Sequence, residues 1–127
     1  MKNINNKNIK NQMLQQKFQE IGELIAEAVK NGNYKVHLSD GIGTDYVSGY
    51  VVFDDADKNE LDFYVNVPDK KFVKGSMRVF PNVFTKEFEE DMINRCVEFR
   101  KKLDIADYER QIAYAQTKLA ELKGDEQ

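Results

Sequence analysis

Apolar residues at Leu14, Phe18, Ile21, Ile25 and Ala28 recur at steps of four and three. That spacing lays one stripe along an amphipathic helix. Asn31-Gly32 closes it, because glycine accepts the left-handed backbone that a helix C-cap needs. The residues ahead of the stripe, MKNINNKNIKNQ, are polar and aperiodic, and residues 1–12 read as a flexible arm. The period then shortens to two. Tyr34, Val36 and Leu38 alternate with Lys35 and His37. Val47, Gly49, Val51 and Phe53 alternate with Tyr46, Ser48, Tyr50 and Val52. Leu61, Phe63, Val65 and Val67 alternate with Glu60, Asp62, Tyr64 and Asn66. Period two in β-branched and aromatic residues predicts strands. A fourth strand is predicted over Lys74–Phe80, after the Pro68-Asp69 turn and before Pro81. The connections are too short for parallel crossovers, so the pairing is antiparallel.

The period lengthens again toward the C-terminus. Thr85 caps a helix whose first turn carries Glu87, Glu89 and Glu90, the sign that the helix dipole favours. Its stripe is Phe88, Met92, Cys96, Phe99 and Leu103. Asp104 is expected to cap a further helix with a heptad seam of Ile105, Tyr108, Ile112, Ala115, Leu119 and Leu122, ended by Gly124. The expected class is α+β: an N-terminal helix, a four-stranded antiparallel meander and two C-terminal helices, in a single domain spanning 1–127. The last two helices are expected to pair as a hairpin, and the remaining seam to meet a second copy as a homodimer or higher oligomer.

Composition narrows the function. One cysteine excludes an internal disulfide, and one histidine with one cysteine excludes a zinc site of those ligands. No apolar run approaches a membrane span, and the polar N-terminus lacks the apolar core of a signal peptide, so a reducing, cytoplasmic setting is expected. The net charge of −3 is unevenly spread. Residues 34–67 carry −5, whereas residues 68–84 carry +3 from Lys70, Lys71, Lys74 and Arg78 against Asp69. A basic segment in an acidic chain suits a small local anion better than duplex DNA, which the rest of the surface would repel. The same lysines also read as turn solubilisers and edge-strand guards.

Catalytic motifs are absent. Gly41-Ile42-Gly43 precedes a strand rather than a helix, and Tyr46 stands where a dinucleotide fingerprint needs its third glycine. Asp55-Ala56-Asp57-Lys58-Asn59 begins like a calcium loop, but Glu60 replaces its glycine and Asn66 its bidentate glutamate. His37 reads as a partly exposed strand residue and Cys96 as a small core residue. What clusters is anion-binding and stacking chemistry. Lys71, Phe72, Lys74, Arg78, Phe80 and Asn82 are followed on the next helix by Arg95 and Arg100. Arginine pairs with phosphate through a planar fork, phenylalanine stacks on bases, and asparagine reads a base or ribose edge. Five residues separate Arg95 from Arg100, so they project roughly 140° apart. Phe72 and Phe80 read equally as core residues, and both arginines as solvated.

Two stretches, YKVHLSDGIGTDYVSGYVVFDD at 34–55 and FVKGSMRVFPNVFTKEF at 72–88, resemble the first described type of the Thoeris anti-defence family of bacteriophages. Those proteins sequester cyclic ADP-ribose and related cyclic nucleotide signals without cleaving them. The resemblance implies a non-catalytic sponge, active in the infected host cell and needing no cofactor. It also implies an aromatic, Asn and Arg pocket at an oligomer interface, which Phe72, Asn82, Arg95 and Arg100 could fill. The helix followed by NGNYKVHLS is also similar to a small anti-CRISPR inhibitor that occupies a nuclease's DNA-binding surface. That type is markedly acidic, unlike the +3 segment here. The leading expectation is therefore sequestration of a phosphorylated nucleotide. The alternatives are inhibition of a host nuclease through the acidic face at 40–62, or a phage structural role.

Overall fold

Alternation over the middle of the chain produces a sheet with one apolar face, and the helices cover that face. The structure, a computed structural model, describes residues 2–41 and 43–125. Its elements are α1 (Lys2–Asn31), β1 (Lys35–Asp40), β2 (Tyr46–Phe53), β3 (Asn59–Asn66), β4 (Lys71–Val73), a 3-10 helix (Gly75–Val79) and α2 (Lys86–Asp125). The strands form an antiparallel meander in the order β1-β2-β3-β4. Val47, Val51 and Phe53 of β2 and Leu61, Phe63 and Val65 of β3 are buried. Ile25, Ala28 and Val29 of α1 join the same core, with Met77, Phe80 and Phe84 from the connection and Phe88, Met92 and Cys96 of α2. Burying each large side chain contributes about 1.5–3 kcal/mol. Burial also pushes the Cys96 thiol up to about 12, the state of an inert core residue.

The helix ends form as their sequences dictate. Gly32 adopts φ +69°, and Asn33 N–H donates to the Ala28 carbonyl at 2.8 Å, closing α1. The Thr85 hydroxyl accepts from Phe88 N–H at 3.1 Å, opening α2. The Asp54–Lys58 segment is a turn, with positive φ at Asp57 and Lys58.

Three elements differ from the sequence reading. First, α1 begins at Lys2, where an arm over residues 1–12 was expected. No glycine or proline interrupts the chain before Gly22, so a helix anchored by its docked end propagates through Asn, Lys and Gln. Second, the fourth strand is Lys71–Val73, and Lys74–Phe80 is not a strand. Gly75 has φ +51°, and Phe80 N–H donates to the Met77 carbonyl at 3.0 Å. The resulting 3-10 turn brings Met77 and Phe80, three residues apart, onto one buried side. Third, the two expected C-terminal helices are one helix of 40 residues, and no hairpin forms at Asp104. No glycine or proline occurs between Lys86 and Lys123. The change of apolar phase at Asp104 is thus a rotation of the stripe around an unbroken helix, not a break.

Gly49 is required where β2 passes β1. An added Cβ would stand 2.8 Å from the His37 carbonyl oxygen, the Leu38 side chain and the Phe63 ring. Gly49→Ala is expected to destabilise the fold by about 1–3 kcal/mol, read from urea denaturation.

Candidate functional site

The face of the sheet turned away from the helices is uncovered, and its register fixes what it displays. His37 lies opposite Tyr50, Ser39 opposite Ser48, Ser48 opposite Tyr64, and Tyr46 opposite Asn66. Alternation sends these side chains outward by the same rule that sends Val47, Val51 and Val65 inward. Tyr46, Tyr50 and Tyr64 remain 38%, 40% and 42% exposed. Tyr46 and Tyr64 meet edge-on at 5.9 Å, and His37 stacks on Tyr50 at 4.7 Å. Two open concavities meet at Tyr64. One of about 490 Å³ is lined by Gly41, Tyr46, Ser48 and Tyr64. The other, of about 620 Å³, is lined by Asp62, Tyr64, Val73, Lys74, Gly75, Ser76 and Arg78. Both volumes lie in the range of small-molecule sites.

The second concavity is framed by a clasp. Ser76 N–H donates to Asp62 Oδ1 at 2.7 Å, and Asp62 N–H donates to the Ser76 hydroxyl at 2.8 Å. Hydrogen bonding to Ser76 holds the Asp62 carboxyl below the usual carboxylate range, with a smaller contribution from the Arg78 charge. A Cβ at Gly75 would run into the Asp62 carbonyl, so only glycine lets the chain turn here. The turn carries Arg78 to the rim beside Tyr64.

The eight residues singled out in the sequence do not converge. Lys71, Lys74 and Arg78 lie at the β4 edge; Lys71 pairs in register with Asn66, which pairs with Tyr46. Lys74 is 3.8 Å from Glu89, while Lys71 and Arg78 are exposed. Phe72 stacks on Phe63 at 5.5 Å and meets Phe88 edge-on, so its ring packs against the core. Phe80 is buried against Phe18. Asn82 is an exposed turn residue with φ +68°.

Arg95 and Arg100 lie beside β1, across three inter-strand spacings, or roughly 14 Å of sheet. Arg95 Nε donates to both oxygens of Asp91, at 3.2 and 3.1 Å. Arg100 Nη2 donates to Asp40 at 2.9 Å, while its buried Nε has no partner among the described residues. Arg100 therefore ties α2 to the end of β1, whereas the Arg95–Asp91 pair lies within α2 itself. The tyrosines and His37, which do share a face, were visible as the polar half of each alternation. An outward aromatic on a strand looks like ordinary surface until the opposite face is known to be covered. Among the described residues, no three His, Cys, Asp or Glu side chains gather as a metal site.

The Tyr34 hydroxyl donates to Asp91 Oδ2 at 2.8 Å, and Arg95 lies 6.0 Å from the Tyr34 ring. Burial, reinforced by the hydrogen bond to Asp91, pushes the Tyr34 phenol up to about 12. The folded state thus favours the neutral phenol. This stabilisation is complete below the unfolded tyrosine value of about 10 and is lost as pH rises through the folded value. Ultraviolet titration should show one phenol ionising near 12, absent in Tyr34→Phe, and the stability of the parent should fall more steeply above pH 10 than that of the variant.

The chain matches no protein-family model, and no curated protein and no solved structure matches it. Its functional reading rests on the open sheet face and its basic rim.

Proposed function

We propose that the chain is a non-catalytic binder that takes a small phosphorylated nucleotide on the open face of its sheet. The observation that carries this reading is the adjacency of Tyr46 and Tyr64 to a rim bearing Lys71 and Arg78, with Lys74 beside them paired to Glu89. A base stacks on exposed tyrosine at about 1–3 kcal/mol, and the rim meets the phosphates with charge-assisted hydrogen bonds. Ser48, between the two tyrosines and Ser39, supplies a hydroxyl for a ribose or base edge. A strand scaffold holds these groups without a lid, which suits capture rather than chemistry.

In biological terms the reading is sequestration: binding lowers the free concentration of a nucleotide signal by mass action, and its receptors stay empty. Cyclic ADP-ribose and related cyclic nucleotides are the ligand class to test. The site differs from the pocket expected at Phe72, Asn82, Arg95 and Arg100, because Phe72 packs into the core and both arginines are held by carboxylates.

A saturating ligand raises thermal stability by RT ln(1 + [L]/Kd). Cyclic ADP-ribose isomers and cyclic dinucleotides are therefore expected to include at least one that raises the Tm. Tyr64→Ala and Arg78→Ala should each weaken its binding about tenfold or more, while Arg95→Ala leaves it unchanged. No shift across the panel refutes the reading, and equal affinity in Tyr64→Ala refutes the site.

A further inference from the structure

The seam beyond Asp104 points away from the domain to which it is attached. The residues that α2 packs on the core, Phe88, Met92, Cys96 and Phe99, cluster on one side of the helix, with Ile93 at the margin of that side. At 100° per residue, Ile105, Tyr108, Ile112, Ala115, Leu119 and Leu122 centre roughly 170° round from them. Ile105, Tyr108, Ile112, Leu119 and Leu122 are between 48% and 63% exposed. An unbroken helix cannot turn this face back onto its own core. The seam rises about 26 Å from Ile105 to Leu122, a long apolar stripe to leave in water.

We propose that this seam is the contact of a homodimer in which the C-terminal half of α2 pairs antiparallel with the same segment of a second copy. Volume and charge both select that arrangement. Centred between Ile112 and Ala115, the antiparallel register sets Ile105 against Leu122, Tyr108 against Leu119 and Ile112 against Ala115 of the second copy. The smallest seam residue then always faces a branched one. A parallel pair would set Ala115 against Ala115 and Tyr108 against Tyr108, leaving a gap beside a crowded layer.

The flanking charges agree. In the antiparallel pair, Glu109 leans toward Lys123 of the second copy, twice by symmetry, and Gln111 toward Lys118. In a parallel pair, the facing flanks would be Asp104 with Glu109 and Lys118 with Lys123, like charges in both cases. The helix is already ordered by its docked N-terminal half, so a seam of two and a half heptads does not also have to nucleate it. The dimer leaves both open sheet faces free at opposite ends, and it stands whether or not those faces bind nucleotides.

The test is the mass of the full chain by light scattering from 5 to 100 µM, with circular dichroism to confirm that each variant stays folded. The expected result is twice the 14.8 kDa chain mass, reverting to a monomer in Ile112→Glu and in Leu119→Lys, both outside the core. Glu109→Lys and Lys123→Glu should each raise the dimer dissociation constant about threefold or more, and their combination should restore it. A monomer at 100 µM overturns the proposal. So does a dimer that survives Ile112→Glu and Leu119→Lys, which would place the contact elsewhere, for example on the exposed Met13, Leu14 and Phe18 of α1. Tighter association in either single charge swap overturns the antiparallel orientation, because only a parallel pair gains from it.

Discussion

The structure depends on a four-stranded sheet that is covered on one side only. Phe53 and Phe63 are fully buried with Val47, Val51 and Val65, and every helix docks on their side. Because successive strand residues point to opposite faces, each residue that enters this core forces its neighbour outward. A slip of one residue would bury Tyr46, Ser48, Tyr50 and Tyr64 and expose the valines. The open aromatic face is thus a consequence of core register. Any ligand chemistry on it inherits the rigidity of the packed side beneath, so its side chains sit on a surface that costs little to hold in place.

The same one-sided cover shapes α2. Its N-terminal half is held by Phe88, Met92 and Cys96 in the core, by Asp91 against Tyr34 and by Arg100 against Asp40. From Asp107 to Gly124 every α2 residue is exposed. The apolar residues of the helix rotate to the far side there and stay exposed. A helix that carries two stripes in opposite phase therefore joins two jobs in one rod: docking to its own domain and presenting a surface beyond it. Neither job alone would require so long an unbroken segment.

Much of this was legible before the fold was known. The alternation of Val47, Val51 and Phe53 with Tyr46 and Tyr50 marks β2 directly, and Gly32 and Thr85 mark helix ends by their own backbone and side-chain chemistry. The misreadings share a cause. Lys74–Phe80 contains residues suited to a strand, but Met77 and Phe80 are both needed in one core, and only a 3-10 turn at Gly75 delivers both. The eight candidate site residues are separated for the same reason. Phe72 lies between basic residues in sequence but beside Phe63 in space, and Arg100 meets a carboxylate sixty residues earlier.

What the sequence by itself determined is what depends on neighbours along the chain: the period of each segment, the caps, the turns and the meander that short connections impose. Those are set by backbone geometry over a few residues. Which face of the sheet would be covered, which arginines would be held by carboxylates and which aromatics would stay exposed were decided only by tertiary structure. Burial and pairing are properties of surfaces brought together from distant parts of the chain, and no local pattern records the partner. The phase change at Asp104 sits between the two. The sequence shows both stripes, but only the continuous helix shows that the second stays exposed, opposite the stripe that packs on the core.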